Sequence, residues 1–299
     1  MGLHYICIGI NQEDLLCASF SIVENQIVNK MRFRLILEVN KQAFGNFLPL
    51  NYQYEQSAVI YKILHSADKE FAHWLHENGY QAAGKNFKLF TYSRFKIDKR
   101  IVLADKQRIQ ILSDTVEWQI SFLPEKSTQS FIEGLFKRQT FEIGDKKSAV
   151  QFAVRSVEVL PPPIYSEEMT FATLSPLCVK FRNDRGGIDY LAPTDVRAEY
   201  LLIKGLQDRY RSAYQKEIPC CALKECKLEV LNQPKSVLVT IKTDTPQQTR
   251  VRGYMTQFKL KAPAELLQLM YETGAGNLCS QGFGCLRVLD QNSLKQSRP

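Results

Sequence analysis

Three consecutive prolines, Pro161-Pro162-Pro163, stand just past the middle of the chain, and no other feature limits its fold as strongly. Each proline fixes φ and removes an amide donor, so the run makes a stiff spacer that belongs to neither a helix nor a paired sheet. It divides 299 residues into two parts, each long enough to bury a core. Both parts carry the same order of patterns. In the first, MRFRLILEV from Met31 alternates apolar and polar residues, the period of a half-buried strand. Residues 53–65 show helical spacing at Val59, Ile60, Ile63 and Leu64, and a second helix follows at 68–77, with Ser66 or Asp68 as its N-cap. FKLFTYSRF (87–95) reads as a strand, RIQILS and VEWQISFL (108–123) as a hairpin, 127–138 as a helix and 150–160 as a last strand. Beyond the prolines come a strand at 169–181, a helix at 194–214, strands near 224–231, 236–242 and 250–260, a helix at 263–272 and a strand at 284–290.

A strand, helix, two strands, helix and strand form the ferredoxin-like pattern, with helices on one face of an antiparallel sheet. The expectation is an α+β chain of two such units in tandem: 31–160, and 164–290 with a glycine-rich loop near its end. Residues 1–30 form an extension of unassigned role and 291–299 a tail.

Charge and cysteine usage narrow the class. Lys and Arg exceed Asp and Glu by 39 to 31, a formal charge of +8, and a basic surface favours a polyanionic partner. No run of about 18 apolar residues occurs, so no membrane-spanning helix is expected. The first residues lack a basic leader, which makes the cytoplasm the expected compartment. Among eight cysteines there is no Cys-x-x-Cys pair; Cys220, Cys221 and Cys226 make the only cluster, and no histidine follows Tyr80. Zinc and disulfide frameworks both need better spacing, so reduced, mostly buried thiols and no metal are expected.

Four glycines crowd Gly274-Ala275-Gly276-Asn277-Leu278-Cys279-Ser280-Gln281-Gly282-Phe283-Gly284. Such backbone must turn sharply or be approached closely. The segment is not a Walker A loop, because no Gly-Lys-Ser/Thr step occurs. Nor is it a dinucleotide fingerprint, because Cys279 occupies the third glycine position and the helix precedes the loop. Two readings remain: amides that hold phosphate oxygens, or a turn serving the fold alone.

GAGNLCSQGFGCLRV resembles the C-terminal glycine-rich loop of the repeat-associated mysterious proteins, specifically the CRISPR repeat-RNA endoribonucleases of the "Cas six" family. Four further stretches agree in order: MRFRLILEV, LPLNYQYEQSAVIYKIL, FAHWLHENGYQ with KLFTYSRF, and TFATLSPLCVKF. The resemblance spans about residues 31–290. It implies binding and metal-independent cleavage of CRISPR repeat RNA without a cofactor, leaving a 2′,3′-cyclic phosphate and a 5′-hydroxyl. Other CRISPR effector or adaptation proteins and a second copy of the chain are further partners it allows. The competing reading is a non-cleaving RNA-binding subunit of an effector complex, since fold does not fix chemistry.

RNA's own 2′-hydroxyl attacks the adjacent phosphate, so an enzyme need only move two protons and stabilise the phosphorane. Of His4, His65, His73 and His76, the family's histidine falls at His76 by resemblance; Tyr61 matches its tyrosine and Lys88, at the head of KLFTYS, its lysine. The implied roles are His76 as acid to the 5′-oxygen, Tyr61 as acceptor or orienter of the 2′-hydroxyl, and Lys88 as charge stabiliser. Which of Tyr61 and His76 is the base stays open. On one straight helix those two would stand about 22 Å apart, so a break near Ser66-Ala67-Asp68 is required. His65 and His73 read as surface or core residues. RNA contacts are expected at Arg94, Lys96, Gly274, Gly276, Ser280, Gly282, Phe283 and Gly284, with Tyr92 and Phe95 as stacking platforms.

Overall fold

The computed structural model describes residues 5–7 and 31–289, which leaves residues 1–4 with His4, residues 8–30, and residues 290–299 with the tail outside the described residues. The chain forms two compact units, Met1–His76 with Arg94–Pro162, and Glu77–Ser93 with Pro163–Pro299.

In the first unit, β1 (Met31–Asn40) pairs antiparallel with β2 (Thr115–Phe122) on one side and β4 (Ala149–Leu160) on the other. Strand β3 (Thr140–Gly144) and the short strand Tyr5–Cys7 pair with separate stretches of β4. Alternation in β1 buries Phe33, Leu35 and Leu37, while β2 buries Trp118, Ile120 and Phe122. Helices α1 (Gln53–Ala67) and α3 (Glu125–Lys137) supply Ile60, Ile63, Phe131 and Leu135 to this core. The Phe131 ring lies 5.0 Å from Phe122 and 6.3 Å from Phe33. Gly134 permits the helices to meet: a Cβ there would fall 1.9 Å from the Ile63 carbonyl oxygen.

The second unit holds β5 (Glu168–Thr173), α4 (Val196–Tyr214), β6 (Lys227–Val230), β7 (Gln257–Lys261), α5 (Ala264–Thr273) and β8 (Leu286–Val288). Its sheet runs β6-β7-β5-β8, all antiparallel, the second-third-first-fourth order of a ferredoxin-like unit. Phe171 and Phe258, 5.7 Å apart and fully buried, centre its core with Leu266, Leu267 and Met270. The fold is α+β, two ferredoxin-like units in tandem.

Four sequence expectations are corrected. The strand at 87–95 is interrupted: Lys85–Phe87 pairs with Tyr80–Ala82 as a hairpin, and Phe90–Tyr92 resumes only after Leu89 turns the chain with φ +54°. RIQILS and VEWQISFL do not form a hairpin. Arg108–Ile111 pairs instead with Arg100–Leu103 and Phe47–Pro49, while β2 pairs with β1. The stretch 169–181 breaks after Thr173, where Pro176 lacks the amide a ladder needs, and Val179–Arg182 pairs with Ile188–Leu191. The stretch 250–260 divides at Thr256. Thr249–Met255 pairs with Lys235–Ile241 as a separate ribbon, and the Asn232 carboxamide oxygen accepts from the Gln257 amide at 2.8 Å where β7 begins. The thiols also divide: Cys178, Cys226, Cys279 and Cys285 are buried, whereas Cys220 and Cys221 are exposed.

Candidate active site

Helix α1 ends because Asp68 adopts φ −144°, ψ 102°, outside the helical region. Its carboxylate then caps α2 (Lys69–Glu77), accepting the Phe71 amide at 2.9 Å and an ion pair from Lys126 at 2.7 Å. Asp68, rather than Ser66, is the cap. The reversal carries His76, fifteen positions along the chain, onto Tyr61: the ring centroids lie 4.9 Å apart, edge to face at 83°. Tyr61, His65, Lys69, Glu70, Ala72, His73 and His76 line an open depression of about 530 Å³. His76 is exposed and Tyr61 half-buried. Burial pushes the Tyr61 phenol above the ordinary tyrosine range, because the phenolate loses its hydration there.

Two histidines set aside in the sequence, His65 and His73, line the same depression. Their signal was legible in helical spacing: Tyr61 and His65 are four apart on α1, Lys69 and His73 four apart on α2. Among the described residues, no three His, Cys, Asp or Glu side chains are arranged to hold a metal ion.

In the second unit, Lys88 follows the Tyr80–Ala82/Lys85–Phe87 hairpin and precedes the Leu89 turn, so it is not part of a strand. Leu89 is buried, and its backbone holds a conformation few leucines adopt. Burial pulls the Lys88 ammonium below the ordinary lysine range, with Glu77 opposing the shift. A Cβ on Gly79 would stand 3.0 Å from Lys88 Cδ and 2.5 Å from the Phe87 carbonyl oxygen, so glycine is what lets the Lys88 stem lie there.

The glycine segment links α5 to β8. Gly274, Gly276, Gly282 and Gly284 all have positive φ, as does Leu278. The Gly284 amide donates to Pro176, the Ala275 amide to the Gly284 carbonyl, and the Asn277 amide to Cys178. Its shape is therefore fixed by the unit's own backbone. Phe283 is fully buried and its carbonyl accepts from Thr91 Oγ1 at 3.3 Å; Gly274, Gly282 and Gly284 are buried too. Gly276 and Ser280 are half-buried and Asn277 is exposed. From α4 the buried Arg209 donates to the Gly274 and Gly276 carbonyls, a contact sequence patterning gave no means of finding.

Of the remaining expected contacts, Arg94 is half-buried, and Lys96 is exposed and pairs with Glu117 at 2.6 Å. The expected stacking platforms are corrected: Tyr92 and Phe95 are core residues. Phe95 stacks on Tyr52 with centroids 5.2 Å apart, and its amide donates to the Tyr52 hydroxyl at 3.0 Å.

Comparison with known proteins covers nearly the same span. Residues 47–158 match the family model "CRISPR-associated protein Cas6, N-terminal", and residues 160–288 match "CRISPR associated protein Cas6, C-terminal". A relative from Pyrococcus furiosus, "CRISPR-associated endoribonuclease Cas6", is 30% identical over 283 residues, covering 89% of this chain and 93% of the relative. The solved structure "An RAMP protein binding different RNA substrates" is 25% identical with a TM-score of 0.72, covering 87% of this chain and 100% of that one. "Characterization of a Cas6-related gene from Pyrococcus furiosus" superposes with a TM-score of 0.74 at 24% identity, covering 88% and 100%.

Proposed function

The chain belongs to the Cas6 family, and from that premise we propose that it binds CRISPR repeat RNA and cuts its backbone as an endoribonuclease. The observation that carries the chemistry is the Tyr61–His76 pair, brought edge to face within one open depression by the Asp68 reversal. Its members are suited to RNA transesterification, in which the 2′-oxygen forms a bond to phosphorus and the bond to the 5′-oxygen breaks.

Burial favours the neutral form of the Tyr61 phenol, which supports a donor role over that of a base. Tyr61 then serves as an O–H donor that orients the phosphate or the 2′-hydroxyl. His76, the exposed imidazole of the pair, takes the 2′ proton. Lys88, whose ammonium gives up its proton more readily than an exposed lysine, offsets the phosphorane charge and donates to the departing 5′-oxygen. The products are a 2′,3′-cyclic phosphate and a 5′-hydroxyl. Gly276 and Ser280, the accessible members of the glycine segment, are the proposed RNA contacts there, with Phe283 supporting them from the core.

The test is to incubate the chain in EDTA with RNA carrying one CRISPR repeat and to map the ends formed. Cleavage with those two termini is expected, and a single 2′-deoxy nucleotide at the cut should abolish it while binding persists. Strict dependence on magnesium or manganese, or binding without cleavage, overturns the reading.

A further inference from the structure

We propose that Arg209 is a positioning residue that locks the glycine segment and the Lys88-bearing hairpin into one arrangement, a role resting on the nuclease reading above. The Arg209 side chain rises from the last turns of α4 and is only 5% exposed. One guanidinium nitrogen donates to the Gly274 carbonyl and, at 3.1 Å, to Thr273 Oγ1; the other donates to the Gly276 carbonyl at 2.6 Å. The guanidinium also lies 6.0 Å from the centre of the Phe87 ring, the residue directly before Lys88. Its helical neighbour Asp208, also buried, receives the Lys85 ammonium at 2.6 Å. Successive residues on a helix point about 100° apart, so adjacent side chains reach different neighbours. Here Arg209 holds the glycine segment and the Phe87 end of the hairpin's second strand, while Asp208 holds the Lys85 end of that same strand.

The choice of arginine matters. A planar fork matches two carbonyls at fixed separation, which a lysine's single point charge does not. Its acceptors in the glycine segment are neutral, so a permanent cation lies beneath backbone proposed to meet phosphate, where low dielectric strengthens its field. Both segments therefore take their positions from one short stretch of α4. A displacement of about 1 Å in such a lysine is enough to cost roughly 10²-fold in rate.

The experiment compares the full chain with Arg209→Lys, Asp208→Asn, Lys88→Ala and the Arg209→Lys/Lys88→Ala double variant. Three quantities are read: the dissociation constant for RNA of one CRISPR repeat, the single-turnover cleavage rate at saturating RNA, and amide hydrogen exchange. Arg209→Lys should cut about 10- to 100-fold more slowly at saturation, with affinity changed by less than that. On the Lys88→Ala background it should cause little further loss, because it acts through that residue. Residues 80–88 and 274–280 should exchange faster together, while 31–76 stay unchanged. Asp208→Asn, which keeps the shape and removes one charge, should reproduce the effect on 80–88 and slow cutting several-fold, and it decides the matter should Arg209→Lys not fold. Unchanged saturating rates with a lowered melting temperature, losses that multiply with Lys88→Ala, or exchange that rises in one segment alone overturn the proposal. A wild-type chain that cuts no repeat RNA overturns the nuclease reading instead, and the exchange arm still decides the latch.

Discussion

Tyr61 and His76 meet through aromatic edges, and each side chain's environment sets what it can do with a proton. Tyr61 is held neutral by burial, whereas His76 faces solvent. His76→Ala should therefore slow single-turnover cleavage by roughly 10²–10⁴-fold, the usual span for a lost general acid or base. His65→Ala and His73→Ala, at other parts of the same depression, should cost far less.

A second residue-scale consequence concerns stability. Burial pushes Glu55, in the first turn of α1, up to about 7, with Asp145 adding to the shift and a backbone hydrogen bond opposing it. The folded state thus binds a proton that the unfolded chain releases near pH 4.5. This contribution is fully present below that unfolded value and is lost as pH rises through about 7. Melting temperature should fall between pH 5 and pH 8, and Glu55→Gln should lessen the fall. An identical fall in the variant would show that other groups carry it.

At the scale of elements, two glycines mark contacts that set geometry. Gly134 lets α3 touch the backbone of α1, the helix that carries Tyr61. Gly134→Ala would force the helices apart and should cost about 1–3 kcal/mol, the usual penalty for overpacking, read by denaturant unfolding. Gly284 has φ +70°, and a Cβ there would lie 2.0 Å from the Ala275 carbonyl oxygen. Gly284→Ala should lower the melting temperature and weaken RNA binding per folded molecule. A lowered melting temperature with unchanged affinity would make the segment a structural turn only. The hinge at Asp68 belongs to the same scale, since one non-helical residue decides whether α1 and α2 share a site.

For the whole molecule, a formal charge of +8 makes salt dependence the natural probe of RNA binding. With single-stranded RNA the log–log slope is about −0.7 per neutralised phosphate. Arg94→Ala should flatten it by less than one unit. Lys96→Ala should do less, because Glu117 already balances that charge at 2.6 Å. Affinity independent of salt would argue against a basic RNA-binding surface.

The order of elements around the triple proline was determined by the sequence alone, and so was the place of the second helix's start, though only the structure chose Asp68 over Ser66 as its cap. Strand alternation, helical spacing and proline's missing amide are local properties that a linear pattern records. The need for a break between Tyr61 and His76 followed likewise from helical rise. Partners across space were not so recorded. The pattern in 108–123 shows two strands, but only the packed sheet decides that they pair with β1 and with Arg100–Leu103 rather than with each other. Nothing local marks Leu89 for positive φ, a backbone conformation leucine rarely adopts, and only the packed unit shows it with the side chain buried. Tyr92 and Phe95 look like exposed platforms in an alternating strand until the interior claims both rings. Arg209 reads as one more surface charge on a helix, and only tertiary structure closes the neighbouring backbone over it and turns its charge to the glycine segment.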